Sequence, residues 1–264
     1  MIRIENDIKD KIRSGFEPEY EYWRGTMQLS KRLQTVAELV TPGNRVADVG
    51  CDHAYTSIYL AKKELSPHII AMDINRGPIE RARENIKRYG YESIIEVRRS
   101  DGLQLLQPGE ADTILIAGMG GVLMRQILTN RSEVLAGTKE LILQPQSELS
   151  LVRELLLSYG FYITAESMLI DEGKYYVCMK AEAGRGILNP GPYELTKKEH
   201  FYYGRLLLEQ KHPVLREYLS REKQQLETIQ TALAEVTTAQ TLQRQKEILQ
   251  ELELVECGIN YYGE

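Results

Sequence analysis

The segment that most constrains the fold is residues 48–54, which read Asp-Val-Gly-Cys-Asp-His-Ala and directly follow a short apolar run. The spacing matches the glycine-rich loop that joins the first strand to the first helix in nucleotide-cofactor folds. Asp52 and Ala54, however, occupy the positions of the second and third glycines. Because a carboxylate at the second glycine repels a pyrophosphate, this loop disfavours a nicotinamide dehydrogenase and favours a cofactor without phosphate groups.

A second carboxylate, Asp73, ends the next apolar run, where an acidic side chain accepts hydrogen bonds from ribose hydroxyls. S-adenosylmethionine has a ribose diol, a sulfonium and an ammonium group, so it suits an acidic loop, and we predict it as the cofactor. The alternative for Asp73 is a helix-capping role before Asn75, and for Asp101-Gly102 an ordinary turn. The predicted cofactor-binding residues are Asp48, Gly50, Cys51, Asp52, His53, Asp73, Ile74, Asp101, Gly102, Ala117, Gly118 and Met119.

Apolar runs typical of buried strands alternate with helical patterns between residues 29 and 160. Strands are predicted at 46–49, 69–72, 94–97, 113–117 and 141–143, and helices at 55–63, 78–89, 122–128 and 149–159. Strict alternation predicts an α/β fold with a parallel sheet and a ligand crevice at the carboxyl ends of the strands. Residues 161–168 and 175–180 flank a turn and predict a final antiparallel hairpin, which is typical of methyltransferase sheets. The predicted fold is therefore a class I, Rossmann-like methyltransferase domain.

Three parts are predicted along the chain: an N-terminal extension (1–28), the methyltransferase domain (29–185) and a helical appendage (186–264). Glycines and prolines cluster at the second boundary. Two apolar stripes then predict a helical hairpin resembling an antiparallel coiled coil. The stripes are Leu215, Leu219, Leu226, Ile229, Leu233 and Val236, followed by Leu242, Leu249, Leu252 and Val255, with capping hydroxyls between them at residues 237–241.

Composition limits the partners. The formal net charge of −5 neither supports nor excludes an RNA partner, so RNA binding would depend on a local basic face. The candidates for this face are Lys31, Arg32, Lys197 and Lys198. The alternative is that these residues lie on solvated helix faces. No apolar run approaches the length of a membrane span, and three cysteines and four histidines show no metal-ligand spacing. We expect a cytoplasmic protein with no membrane or metal partner, and a monomer, although the sequence does not fix the oligomeric state.

Taken in order, these segments resemble the bacterial tRNA (adenine-22-N1)-methyltransferase family, TrmK. The resemblance rests on residues 29–33, 48–55, 77–78, 101–103, 116–121, 143–145 and 171–174. It implies a methyltransferase domain with a C-terminal coiled-coil domain, which methylates N1 of adenine 22 in tRNA. Gln146, residues 203–205 and the N-terminal extension depart from the family pattern.

Adenine N1 attacks through an in-plane lone pair, so the reaction requires alignment rather than a strong general base. Positive charge moves onto the base, and Asp52 and the backbone around Met119 are the candidates for stabilising it. His53 could orient the base or take a proton from N6 later. The alternative is that Asp52 and His53 serve only cofactor binding or loop stability. Residues 117–121 lack the acid or amide followed by Pro-Pro and an aromatic residue that marks adenine N6 chemistry.

Two other functions stay open at this point. One is a methyltransferase of a small molecule or protein, with the helical hairpin acting as a lid or dimerisation arm. The other is a non-catalytic RNA-binding adaptor that keeps a cofactor pocket only for stability.

Overall fold

A computed structural model describes residues 29–184, 191–233 and 238–263. The predicted extension 1–28 and the predicted boundary between residues 185 and 186 lie outside these ranges, so the division into three parts stays a prediction. No helix in the described ranges is long and apolar enough to cross a bilayer.

Seven strands form one sheet with the order β3-β2-β1-β4-β5-β7-β6. The strands are β1 (Val46–Val49), β2 (Ile69–Asp73), β3 (Ile95–Arg99), β4 (Thr113–Met119), β5 (Glu140–Pro145), β6 (Phe161–Asp171) and β7 (Lys174–Ala183). The first five are parallel, and β7 runs antiparallel to both β5 and β6. The parallel sheet and the closing antiparallel hairpin are thus both confirmed.

Helices cover both faces of the sheet. They are α1 (Lys31–Glu38), α2 (Tyr55–Lys62), α3 (Arg76–Tyr89), α4 (Gly121–Thr129), α5 (Ser132–Leu135) and α6 (Leu149–Ser158). Apolar side chains of α1, α2 and α3 form one buried layer, and those of α4, α5 and α6 contribute to the other. Because β1 to β5 run in the same direction, the loops at the carboxyl ends of β1, β2 and β4 meet at one edge of the sheet.

The C-terminal appendage, described over residues 191–233 and 238–263, packs on the second of these layers. A π-helical turn (His200–Gly204) leads into α7 (Arg205–Glu209), α8 (Pro213–Leu233) and α9 (Ala239–Ile259). Helices α8 and α9 are antiparallel, since Gln245 donates to the carbonyl of Leu233 at 2.7 Å while Lys223 meets Glu256 at 3.0 Å. The predicted helical hairpin and its Thr238 cap, whose hydroxyl accepts from the Thr241 amide, are confirmed.

The apolar stripe predicted for α9 is right at one end and wrong at the other. Val255 is buried and Leu252 packs against the core, as predicted. Leu242 and Leu249 are about half exposed, whereas Ile248, which lies outside the predicted stripe, is buried. Because Leu242 with Leu249 and Ile248 with Val255 have the same heptad spacing, the pattern does not separate the outer pair from the buried pair.

A buried ion pair joins the sheet to the appendage. Arg153 of α6 is fully buried and bonds the carboxylate of Glu166 on β6 at 2.8 Å. The same guanidinium donates to the carbonyls of Phe201 and Tyr202 in the π-helical turn, at 2.6 and 3.0 Å. Since buried charges require such partners, the start of the appendage is fixed against β6.

Candidate cofactor site

The loops after β1, β2 and β4 enclose a cavity of about 400 Å³ at the carboxyl edge of the sheet. We call it the cofactor crevice. It is lined by nine of the residues predicted to bind the cofactor: Asp48, Gly50, Cys51, Asp52, His53, Asp73, Ala117, Gly118 and Met119. The sequence therefore identified three separate loops that the fold brings to one place.

The β1 loop is held in an unusual backbone conformation. Gly50, Asp52 and Ala54 have φ values of 77°, 51° and 59°. A Cβ at Gly50 would stand 2.2 Å from the terminal methyl of Met119, so the absence of a side chain lets the β4 loop close on the β1 loop. Left-handed backbone at residues other than glycine costs about 1–2 kcal/mol per residue. Asp52 and Ala54 both carry this strain, and strained backbone is found most often at functional sites.

Asp48 is a buried acid at the end of β1. Its carboxylate accepts a hydrogen bond from the Ser57 hydroxyl at 2.6 Å. Burial raises the pKa of Asp48 to about 6, and the Ser57 hydrogen bond opposes this rise only in part. No Arg or Lys of the described residues lies within ion-pair distance of Asp48. A cationic ligand in the crevice would therefore stabilise the ionised carboxylate.

Asp73 combines the two roles that the sequence left open. Its Oδ1 accepts from the backbone amide of Asn75 at 2.8 Å, which is the capping role. The same carboxylate lines the crevice, and within the described part of the chain Oδ2 has no hydrogen-bond partner. One oxygen thus fixes the side chain, and the other is free to accept from a ligand hydroxyl.

Three predicted residues do not line the crevice. Ile74 is half exposed, and its carbonyl accepts from the Arg99 side chain at 2.9 Å. Asp101 is exposed, and Gly102 packs on Ile127, whose side chain would lie 3.1 Å from a Cβ. The end of β3 nevertheless adjoins Asp73 through the Ser100 amide. Contact of these three residues with the cofactor stays a prediction.

Asp52 and His53 lie together at the mouth of the crevice. Asp52 Oδ1 is 3.4 Å from His53 Nε2, and the Asp52 side chain is 69% exposed. Arg81 Nη1 approaches the same histidine nitrogen at 3.5 Å. The His53 ring stacks on Tyr55 with 5.9 Å between the ring centres. Both predicted catalytic side chains are therefore near solvent, where a large substrate can reach them.

Two glutamines of the site were missed by the sequence analysis. The register of β4 against β5 shifts between Ala117 and Met119, which leaves the Gly118 amide to donate to the buried Gln144 side chain at 3.1 Å. The backbone amide of Gln146 donates to the Met119 carbonyl at 2.9 Å. In the sequence, the only sign of this role is that polar Gln144 directly follows the apolar run 141–143. These bonds fix the loop that carries Met119.

Arg32 is also built into the site. Its guanidinium donates to the Gln144 side chain at 2.8 Å and lies over the Tyr176 ring, 5.4 Å from its centre. Arg32 lines the crevice, whereas Lys31 is exposed. The phosphate contact predicted for both residues stays a prediction. The Arg32 guanidinium also holds the Gln144 side chain, which in turn bonds the Gly118 amide.

The Cys51 thiol is a packing group in this arrangement. It is buried, and burial, together with the nearby Asp48, Asp73 and Asp52 carboxylates, raises its pKa far above the ordinary value. The thiol therefore stays protonated. The described ranges contain no group of three or more His, Cys, Asp or Glu side chains that could hold a metal ion.

Comparison with known proteins identifies the family. Residues 29–179 match the family described as "Methyltransferase domain". The tRNA (adenine(22)-N(1))-methyltransferase of Bacillus subtilis is 35% identical over 89% of this chain and 98% of its own length. The chain belongs to the tRNA (adenine(22)-N(1))-methyltransferase family. The family predicted from the sequence is confirmed.

Solved structures of this family share the fold. The crystal structure of the B. subtilis m1A22 tRNA methyltransferase TrmK has a TM-score of 0.79 and 35% identity, over 89% of this chain and all of that one. A candidate tRNA (m1A22) methyltransferase of Streptococcus pneumoniae, solved in complex with S-adenosyl-L-methionine, has a TM-score of 0.76 and 30% identity, over 88% of this chain and all of that one. The predicted methyltransferase fold with C-terminal helices is confirmed.

The appendage of this TrmK-family chain carries the other predicted RNA contacts. Lys197 and Lys198 are both exposed. Lys197 donates to the Tyr261 hydroxyl at 3.1 Å, and Lys198 lies over the Tyr202 ring at 5.8 Å. These contacts hold the two ammonium groups on aromatic surfaces, and the Lys197 ammonium also lies 3.9 Å from a carboxylate oxygen of Glu199. Their role in RNA binding stays a prediction.

Proposed function

We propose that the protein transfers the methyl group of S-adenosylmethionine to N1 of adenine 22 in tRNA. The observation that carries the proposal is the 35% identity with the Bacillus subtilis enzyme across 98% of that enzyme. A match of this length includes the appendage as well as the cofactor domain. The alternatives of a small-molecule or protein methyltransferase and of a non-catalytic adaptor have no comparable support.

The residues of the crevice suit this cofactor. S-adenosylmethionine supplies an electrophilic methyl group on a positively charged sulfur. The buried Asp48 and the half-free carboxylate of Asp73 complement a ligand that carries positive charge and ribose hydroxyls. A phosphate-bearing dinucleotide would instead be repelled by the Asp52 carboxylate, which occupies the position of the second glycine. The hydrogen-bond acceptors and the negative charge of the crevice therefore both favour S-adenosylmethionine.

Asp52, His53 and Met119 are our candidates for contact with the reacting atoms. Adenine N1 uses its lone pair to form the new N–C bond while the C–S bond breaks, and the positive charge passes to the base. The carboxylate of Asp52 at the mouth and the carbonyl of Met119 are acceptors that can stabilise this charge. Gln146 fixes that carbonyl through its own amide. Alignment supplies most of the rate acceleration in such a reaction.

The appendage is proposed to hold the tRNA body while the reacting edge of the base reaches the cofactor crevice. Exposed Lys197 and Lys198 at the start of the appendage, and Lys31 on α1, are proposed to contact phosphates. Because the tRNA substrate is cytoplasmic, we propose that the enzyme is cytoplasmic too. We also propose that it acts as a monomer.

The deciding experiment is methyl transfer from labelled S-adenosylmethionine to unmodified tRNA transcripts, followed by nucleoside analysis. We expect label in 1-methyladenosine, and its loss when adenine 22 is replaced by guanine. Transfer to a small molecule or protein instead, or cofactor binding without any transfer, would replace the proposal by one of the two alternatives.

The Asp52→Ala variant tests the assignment of this residue. Because the side chain is largely exposed, the fold should persist while turnover is abolished. Glu64→Ala is a matched control, since Glu64 is exposed, has a similar φ of 55° and lies outside the crevice. Near-normal turnover of Asp52→Ala would remove Asp52 from the mechanism.

A further inference from the structure

A second cavity, of about 380 Å³, lies where the methyltransferase sheet meets the appendage. We call it the seam cavity. Its walls come from the end of β5, from the β6–β7 hairpin and from the π-helical turn and α8, and include Gln146, Tyr175, Tyr202, Tyr203, Tyr218 and Glu222. Its volume is in the range of small-ligand sites. Neither the cofactor assignment nor the predicted phosphate contacts use it.

The seam cavity adjoins the cofactor crevice. Gln146 lines both spaces. Its backbone amide is bonded to the carbonyl of Met119, which lines the crevice. A planar group held in the seam cavity would therefore have one edge beside the loop that carries Met119.

The chemistry of the walls suits a nucleobase. Four tyrosines provide aromatic surface, and the rings of Tyr175 and Tyr218 meet edge to face with 5.3 Å between their centres. Base stacking on aromatic side chains tolerates any base and is a common means of holding unpaired nucleotides. Val177 and Leu215 add apolar surface. The cavity thus combines a broad aromatic lining with polar side chains, Gln146, Glu148, Ser150 and Glu222, that can hydrogen-bond the edge of a base.

Two acids line this cavity, Glu148, which accepts from the Gly121 amide at 3.1 Å, and Glu222. Glu222 is the one that contacts the tyrosines. Its two carboxylate oxygens accept from the hydroxyls of Tyr203 and Tyr218, at 3.0 and 3.3 Å. Burial raises the pKa of Glu222 above its ordinary value, although both hydroxyls lower it. Among the described residues no Arg or Lys pairs with this carboxylate. Each oxygen retains acceptor capacity for a further N–H donor.

We propose that the seam cavity receives the unstacked target adenine, with its ring against the tyrosines and its exocyclic amine toward Glu222. This inference rests on the proposed function. On adenine the N6 amine adjoins N1, so a group that holds N6 also fixes where N1 points; in this proposal N1 faces Gln146, which lines both cavities. Stacking on tyrosine offsets the cost of unstacking the base from the tRNA. The appendage is then part of the active site as well as a tRNA grip.

Two substitutions test the cavity in the full-length protein. Glu222→Gln keeps an acceptor for the tyrosine hydroxyls but removes the charge, and Tyr202→Ala removes aromatic surface at a side chain that is 47% exposed. We expect each to lower the single-turnover methylation rate of tRNA about tenfold or more, as the loss of one charge-assisted hydrogen bond or one stacking surface predicts. The dissociation constant for S-adenosylmethionine should stay within about twofold. Tyr159→Ala is the matched control, since Tyr159 is 38% exposed and lines neither space.

Photo-crosslinking gives an independent measurement. A tRNA carrying 8-azidoadenosine at position 22 is irradiated with the protein, and the crosslinked peptides are identified by mass spectrometry. Crosslinks within residues 168–177 or 202–222 support the proposal, and 8-azidoadenosine in the anticodon loop should not give them. Crosslinks elsewhere, or unchanged single-turnover rates in both variants while the unsubstituted protein methylates adenine 22, overturn the seam cavity alone. Absence of methyl transfer by the unsubstituted protein overturns the proposed function itself.

Discussion

The two edges of the parallel sheet carry carboxylates in opposite circumstances. At the amino edge, Asp112 bonds Arg45 at 2.9 Å and Lys139 at 3.1 Å, and Glu140 meets Lys180 at 3.1 Å. At the carboxyl edge, Asp48 and Asp73 have no Arg or Lys at ion-pair distance among the described residues. The acids of the amino edge are neutralised within the chain, whereas those of the carboxyl edge are left for a ligand.

The pKa values follow this division. The hydrogen bond from Arg45 lowers the pKa of Asp112 far below its ordinary value. Burial alone would raise the pKa of Glu140, but hydrogen bonds from Thr41 and Thr113 lower it overall. Burial raises the pKa of Asp48 to about 6. The comparison teaches that a buried carboxylate at a strand end is structural where a cationic side chain pairs with it. Where no cation pairs with it, the carboxylate marks a candidate binding site.

The largest expected effect is at Asp48. Its folded pKa of about 6 exceeds the usual 3.8, so ionisation opposes folding, and stability is lost as the pH rises through 6. Relative to the unsubstituted protein, Asp48→Asn should gain about 3 kcal/mol of unfolding free energy between about pH 3.5 and pH 8. Urea unfolding of the cofactor-free proteins across this range measures the gain. A constant difference at every pH would show that the carboxyl does not titrate abnormally.

Asp73→Asn should separate binding from stability. The amide can still accept from the Asn75 backbone, as Asp73 does at 2.8 Å, so the unfolding free energy should change little. Losing the charged acceptor for ribose hydroxyls should raise the dissociation constant for S-adenosylmethionine about 100-fold. Isothermal titration calorimetry provides the measurement, with Asp112→Asn as the control that leaves binding unchanged. An affinity within about threefold of the original would contradict the ribose assignment.

Asp112→Asn should show the opposite behaviour to Asp48→Asn. Because its folded pKa is lowered, Asp112 stabilises the protein above the usual carboxyl pKa, and this contribution is lost as the pH falls. We expect a loss of about 2 kcal/mol at neutral pH that shrinks toward zero in acid. The same urea series detects it. A loss that is independent of pH would indicate packing rather than charge.

The smallest effect concerns two glycines, one at each edge. Gly43 and Gly50 have φ values of +88° and +77°, but a Cβ would meet nothing within 4 Å at Gly43 and the Met119 methyl at 2.2 Å at Gly50. Replacement by alanine should cost about 1 kcal/mol of stability at either position. Only Gly50→Ala should also weaken S-adenosylmethionine binding, about fivefold. Equal affinities in the two variants would show that the contact with Met119 does not shape the crevice.

The sequence predicted the part of the site that depends on local pattern. Residues 48–54 and Asp73 follow apolar runs, and parallel strands bring such ends together whatever the rest of the chain does. The contact of Arg32 with Gln144, 112 positions apart, has no local signature. The seam cavity was likewise beyond prediction, because its walls come from β5, the hairpin and the appendage.

Helix α9 shows a second limit. The pairs Leu242 with Leu249 and Ile248 with Val255 have the same spacing, so periodicity predicts a stripe without deciding which stripe is buried. That decision depends on the surfaces of α8 and of the sheet domain, which only the folded chain supplies.

The fixed junction at Arg153 keeps the start of the appendage at one distance from the sheet. The Arg153 guanidinium is shared between Glu166 and the π-helical turn, so the turn cannot rotate freely about the sheet. The exposed Lys197 and Lys198, our candidates for phosphate contacts, lie just before this turn. If they hold the tRNA as proposed, their separation from the cofactor crevice is set by the fold, and the methylated nucleotide is then selected by its distance from the bound phosphates more than by the bases around it.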